Sequence, residues 1–192
     1  MALSATQSLS RGDRVLHVTR QIALVLGASL FVASCARITL PLPLTPVPLT
    51  LQNFGVLLVG LMLGSRRGFA ALALYLAEGM MGFPVFSPTG PGGLAQLIGP
   101  TGGFLLAYPF VAGIAGLIME SGKKSFARGL TAAVSAEVVL FAGGLCWLAI
   151  LTHSLSQAVR FGLYWFVFAE IIKIMSATGL ASGWQRIRRF QV

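Results

Sequence analysis

The sequence predicts an all-α integral membrane protein, a compact bundle of six transmembrane helices with Pro-rich and Gly-rich extracytoplasmic loops. Three observations predict it. Hydrophobic residues fill 56% of the 192 positions, and the mean hydropathy is +0.83, far from the composition of a soluble domain. A spanning helix takes about 20 apolar residues, so six crossings and short loops nearly exhaust the length and leave no room for a soluble catalytic domain. The basic residues are also segregated. Eleven of the 14 fall on one side of a six-crossing topology: Arg11, Arg14, Arg20, Arg66, Arg67, Lys123, Lys124, Arg128, Arg186, Arg188 and Arg189. That side is the cytoplasm under the positive-inside rule, with both termini inside the cell membrane.

The spans follow from the apolar runs. The first covers 22–38, after the basic N-terminal segment. The second, 51–63, is short for a crossing and runs backwards into Pro48, which points to a helix that starts below the membrane surface. The third, fourth and fifth cover 69–86, 104–119 and 129–151, and the last covers 161–180. Residues 1–20 and 182–192 are then cytoplasmic tails around a membrane-embedded domain of 21–181. The net charge of +9 is mostly orientation. Cations scattered over separate segments make no nucleic-acid surface, and the expected surroundings are a lipid bilayer.

Two loops on the side opposite the basic segments are unusual. Residues 39–52 carry Pro41, Pro43, Pro46 and Pro48 in an almost wholly apolar stretch. Proline blocks a helix interior, so this segment is extended or turning, and an apolar irregular segment is satisfied when it folds over the bundle mouth. Residues 87–103 carry six glycines, Gly92 and Gly93 among them, and no charge. Glycine permits backbone geometries closed to other residues and a close approach to a ligand. Together with 152–160, these loops describe a lidded pocket open to the outside.

Charges inside the spans mark the pocket. Of the five acids, Glu78, Glu137 and Glu170 are embedded, whereas Asp13 and Glu120 sit at the cytoplasmic edge. Glu170 and Lys173, three apart on one helix face, are placed where an unpaired charge costs about 2.5–3.5 kcal/mol. Such a pair reads as a binding site, the alternative being an internal salt bridge that only fixes packing. Gln52, Asn53, Tyr75 and Glu78 are further polar groups that can face the pocket. Phe86, Tyr164, Trp147 and Trp165 are candidates for its aromatic walls, against an interfacial belt for Trp and Tyr.

Other signals weigh less. Arg11 to Cys35 has the outline of a lipoprotein signal, but the rest of the chain is more apolar than this segment. Cys35 and Cys146 lack metal-ligand spacing. Gly116 to Lys124 is one residue too long for a phosphate-binding loop and has Lys124 where Ser or Thr is required. No catalytic motif appears, so the chain is not expected to be an enzyme or to carry a cofactor. Gly60, Gly64 and Gly68 recur every four residues, as do the small pairs Ala23/Gly27 and Ser29/Ala33. Small faces let helices approach closely, either within this bundle or, for Ala23, Gly27, Ser29 and Ala33, against a partner membrane subunit.

A family resemblance rests on Pro46-Val47-Pro48 within PVPLTLQ, on LLVGLMLGSRRGFAALALYLAEGMMGFPVF, and on GPTGGF at 99–104. The chain closely resembles the BioY family, the biotin-binding S components of energy-coupling factor transporters, over most of 41–173. The resemblance implies a six-helix receptor that binds biotin outside and docks on a transmembrane coupling subunit driven by two ATPases, which alone bind ATP. In that family the last span carries an acid three before a lysine, usually Asp-x-x-Lys. Here it is Glu170-Ile171-Ile172-Lys173. A polar Asn on the fifth span is replaced around Ala136-Glu137.

Biotin's cyclic urea has two N–H donors and one acceptor oxygen, which Glu170 and Lys173 can meet with charge-assisted bonds. Gln52 and glycine-loop N–H groups are candidates for the remaining polar atoms, and Arg37 or Arg160 for the tail carboxylate. The alternative is a solitary or proton-coupled carrier, in which Glu78, Glu137, Glu170 and Lys173 form a relay.

Overall fold

The computed structural model describes residues 11–190, so 1–10 and 191–192 at the ends of the expected tails lie outside the described residues. Six longer helices make the bundle: α1 (Arg11–Arg37), α2 (Gln52–Leu63), α3 (Ser65–Met80), α5 (Gly102–Glu120), α6 (Phe126–Thr152) and α8 (Val167–Phe190). Two short ones, α4 (Gly93–Ile98) and α7 (Leu155–Gly162), lie within the expected loops. The strands β1 (Thr39–Leu40) and β2 (Leu49–Thr50) pair antiparallel, Thr39 with Thr50 and Leu40 with Leu49, and close the proline segment into a loop. The helices α1 and α8 run on into the segments read as tails, beginning at Arg11 and ending at Phe190.

Burial follows the helical period. In α8 the buried positions Glu170, Lys173, Ala177 and Ala181 recur every three or four residues, in line with Phe166 just before it, one stripe of the cylinder. The corresponding stripe of α6 is Ala133, Ala136, Glu137, Leu140 and Gly144. The opposite faces are apolar too: Val138 is 66% and Phe168 77% exposed, as a bundle facing hydrocarbon requires. By length and composition, Gly12–Arg37, Gly102–Glu120 and Phe126–Thr152 are long and apolar enough to cross a membrane.

The helix α2 is central, packed against α1, α3, α5, α6 and α8, yet its 12 residues rise only about 18 Å. Its N-terminus therefore lies below one end of the bundle, as Pro48 suggests. The last span also differs from expectation. Residues 163–166 form turns, so α8 begins only at Val167 and Glu170 sits in its first turn, not in mid-helix. Unpaired N–H groups there favour a carboxylate. The third span ends at Met80 instead of residue 86, because Pro84 cannot continue a helix.

The opposite end is sealed by polar links. The Glu120 carboxylate accepts from Ser65 N at 3.0 Å and from Ser65 Oγ at 2.7 Å, capping α3 from α5. Arg128 donates to Ser121 Oγ at 3.1 Å across the turn between α5 and α6. Gly116, part of the rejected phosphate-loop segment, lies inside α5, where a Cβ would stand 2.3 Å from Ser65 N. Gly60 is likewise internal packing: its Cβ would meet Ala112 O at 2.6 Å.

Candidate functional site

Because α2 and α8 start low, a cavity is left between their first turns and the two capping loops. The floor is polar: Gln52 and Asn53 from the first turn of α2, Glu170 and Lys173 from α8. Phe104 and Tyr108 of α5, Phe141 of α6 and Phe166 before α8 make the aromatic wall. Pro48 and Thr50 close it from the proline loop, and Ser87, Gln96 and Thr101 from the glycine loop.

Two hydrogen-bonded chains hold the floor. Lys173 Nζ donates to Glu170 Oε1 at 2.6 Å, and Asn53 Nδ2 donates to Glu170 Oε2 at 2.7 Å. The same Asn53 nitrogen donates to Glu137 Oε1 at 2.5 Å. Gln52 Nε2 donates to the Tyr75 hydroxyl at 2.8 Å, which in turn donates to Val85 O at 2.9 Å. Glu170 is 6% and Lys173 8% exposed. Two ions so buried persist only when each is paired and hydrogen-bonded, and both are.

The capping loops are held by specific contacts. Thr45 Oγ1 donates to Phe161 O at 2.7 Å, tying the proline loop to α7. Ser87 Oγ donates to Thr39 Oγ1 at 3.1 Å, joining the two loops. Gly92 and Gly93 have φ of 72° and 58°, left-handed values that cost a side-chain-bearing residue about 1–2 kcal/mol. They start α4 and let Gly92 N donate to Gln96 Oε1 at 3.2 Å. Pro46 lines the seam between the loops, facing Thr89, Gly90 and Pro91.

Not every residue singled out in the sequence reaches the cavity. Tyr75 lies one layer behind it, holding Gln52. Phe86 packs edge-on against Tyr75 at 5.4 Å and against Gly79, whose Cβ would fall 2.0 Å from its ring. Glu78 faces α1 instead and accepts from Ser29 Oγ at 2.5 Å. Trp147 donates from Nε1 to Gly99 O at 2.9 Å and buttresses the glycine loop from α6. A Cβ on Gly103 would stand 2.3 Å from Trp147 Cβ, so glycine there lets α5 and α6 close.

Trp165 and Tyr164 stack edge-on at 5.4 Å and are 38% and 73% exposed. The turn at 163–166 directs Phe166 inward in their place. Arg37 borders a hollow outside the glycine loop, and Arg160 is exposed on α7. Neither lines the cavity. Asn53, which the sequence already offered as a polar group facing the pocket, does line it, and so do Phe104, Tyr108, Phe141 and Phe166, which the sequence did not assign to the site. Phe104 and Tyr108 at i, i+4 on one helix face were the available signal.

The small-residue face of α1 is divided as well. Ala23 and Gly27 border an apolar groove with Phe31, Leu58 and Met62 between α1 and α2. Ser29 is fully buried on Glu78, and Ala33 packs on the core. The last two are turned from that groove because they lie about 100° or more around the helix from Gly27 and Phe31.

Compared with known families, the chain matches the BioY family over residues 5–190. It belongs to the BioY family. The biotin transporter BioY of Thermotoga maritima is 37% identical over 151 residues, 79% of this chain and 86% of that protein. A probable biotin transporter BioY of Pyrococcus horikoshii is 39% identical over 136 residues, 71% of this chain and 79% of its own length. In fold, the chain superposes on a crystal structure of the S-component for biotin from an ECF-type ABC transporter with a TM-score of 0.81, at 20% identity, over 89% of this chain and 93% of that one. BioY relatives are transporters, so this chain is a transport protein of the membrane and not an enzyme. The resemblance read from the proline and glycine motifs is thereby established.

Proposed function

We propose that this BioY-family chain is the substrate-binding subunit of an ATP-driven importer, which captures biotin on the extracytoplasmic side of the cell membrane. It delivers the vitamin inward with a transmembrane coupling subunit and two ATPases, and its own residues hold no cofactor. The observation that carries the reading is the buried Glu170–Lys173 pair on the floor of a cavity capped by two uncharged loops. Glu170 accepts one ureido N–H, and Lys173 donates to the ureido oxygen. Phe104, Phe141 and Phe166 enclose the thioether ring, where sulfur meets aromatic edges favourably. The tail leaves through the neutral seam by Pro46 and Thr89, whose hydroxyl is one polar group beside it.

Orientation follows from where the basic residues stand. Arg66, Arg67, Lys123, Lys124 and Arg128 lie at the end of the bundle away from the capping loops, and that end is the cytoplasmic one. The groove of Ala23 and Gly27 is the surface for the coupling subunit.

Calorimetry of the purified protein in detergent tests the binding step, with biotin as ligand and desthiobiotin and an unrelated vitamin as controls. Saturable biotin binding without any ion gradient is expected. No heat with biotin sinks the proposal. A proton relay draws on Glu137 and Glu170 sharing one amide, but Glu78 is engaged with Ser29, which leaves that relay a link short. Uptake that stops when the proton gradient is collapsed with ATP maintained would reverse the choice.

A further inference from the structure

Glu137 is a buried carboxylate to which the binding scheme above gives no task. It is 5% exposed, stands on the inward stripe of α6, and spends Oε1 on Asn53 Nδ2. The same nitrogen spends its second hydrogen on Glu170 Oε2. An amide NH₂ has two donors, and both go to carboxylates. The lysine-paired Glu170 favours this face of the amide: turned over, the Asn53 carbonyl oxygen would stand 2.7 Å from a carboxylate oxygen with no hydrogen between them. Asn53 Oδ1 is thus the free end of the side chain. It is buried, it has no hydrogen-bond partner, and its residue lines the cavity. A dry, unpaired acceptor at a ligand cavity is costly until a donor arrives.

We propose that Glu137 is a positioning residue: with Glu170 it clamps the Asn53 amide by its nitrogen, so that the Asn53 carbonyl oxygen stands as a fixed acceptor for a ring N–H of the ligand. The inference rests on the biotin reading and deepens it. A cyclic urea carries two N–H groups flanking one oxygen. Glu170 takes one N–H, Lys173 takes the oxygen, and Asn53 takes the other N–H. Glu137 does not line the cavity, so it acts through Asn53 and not by touching the ligand. The site then selects for a donor at both ring positions, one read by a charge and one by a neutral oxygen held in place from α6.

The test compares biotin with its two cyclic carbamate analogues, in each of which one ring N–H is replaced by oxygen. Calorimetry in detergent is run on the unaltered protein, Glu137→Met, Glu137→Gln and Asn53→Ala. Failure of the unaltered protein to bind biotin ends the functional reading itself, and the variants are compared once it binds. One analogue sets a ring lone pair against Asn53 Oδ1 and is expected to bind roughly 100-fold or more weakly than biotin. In Glu137→Met the amide keeps one anchor and can turn its NH₂ to that oxygen, so this discrimination falls about tenfold, while discrimination against the other analogue is unchanged. Glu137→Gln, whose carbonyl still accepts from Asn53, keeps the ratio within about threefold.

A general loosening of the site would lower both ratios together, and that result overturns the proposal. So does a Met variant with both ratios intact, or a Gln variant as permissive as Met. Asn53→Ala covers the case in which Glu137→Met does not fold. It is expected to lose the same discrimination, and retention of biotin affinity with full discrimination removes Asn53 as the acceptor.

Discussion

Asn53 on α2 and Glu170 on α8, 117 positions apart in the chain, share a hydrogen bond of 2.7 Å. Through it the first turns of two helices that both start below the capping loops become one polar floor, and the Lys173 ammonium on Glu170 completes it.

Removing either member of the ion pair separates binding from folding. Glu170→Gln and Lys173→Ala are each expected to weaken biotin binding by about 100-fold, since a charge-assisted bond contributes about 1.5–3 kcal/mol and the partner is left unpaired. The orphaned charge costs stability too, about 3–5 kcal/mol by analogy with soluble proteins, so the yield of extractable protein is followed beside the calorimetric affinity. Undiminished affinity in both variants takes the pair out of the site.

The aromatic wall distinguishes two neighbours in the chain. Phe166 lines the cavity and is 7% exposed, while Trp165 is 38% exposed. Phe166→Ala is expected to reduce biotin affinity by roughly tenfold or more, in keeping with about 1.5–3 kcal/mol for a buried aromatic. Trp165→Ala leaves affinity within about twofold. The reverse order of effects contradicts the inward turn of Phe166.

Close helix contact between α5 and α6 depends on Gly103. A Cβ there would stand 2.3 Å from Trp147 Cβ and 2.5 Å from Gly143 O, atoms that cannot retreat without moving a helix. Gly103→Ala is expected to destabilise the protein by about 1–3 kcal/mol, read as a lowered thermal transition in detergent. An unchanged transition means that the two helices are not so close.

The two halves of the small-residue face on α1 are expected to behave differently. Gly27→Leu projects into the open groove, where a Cβ at Gly27 has nothing within 4 Å, and is expected to spare biotin affinity while reducing co-purification with the coupling subunit. Ser29→Ala instead strips Glu78 of a buried donor and costs about 1–3 kcal/mol of stability, with association intact. Loss of association in Ser29→Ala alone would assign docking to the other half.

Hydropathy and the one-sided distribution of Arg66, Arg67, Lys123 and Arg128 already point to a bundle of six helices in a membrane, because bilayer thickness and charge cost act on the linear chain. The adjacency of Glu170 and Lys173 is local, one helical turn, and can be read without coordinates. The break at 163–166 was less accessible, since an apolar run through Leu163 and Phe166 has the same composition whether it is helix or turn. Its consequence, Phe166 inward and Trp165 outward, could not be chosen from the sequence.

Local chemistry therefore announces the membrane, the motifs of the BioY family and an ion pair placed where lipid would punish a lone charge. Tertiary structure decides what that pair meets. The hydrogen bonds from Asn53 to Glu137 and Glu170 join residues 84 and 117 positions apart, and no periodicity or spacing encodes such distances. They exist because α2 packs between α6 and α8, a matter of helix packing rather than of any one segment.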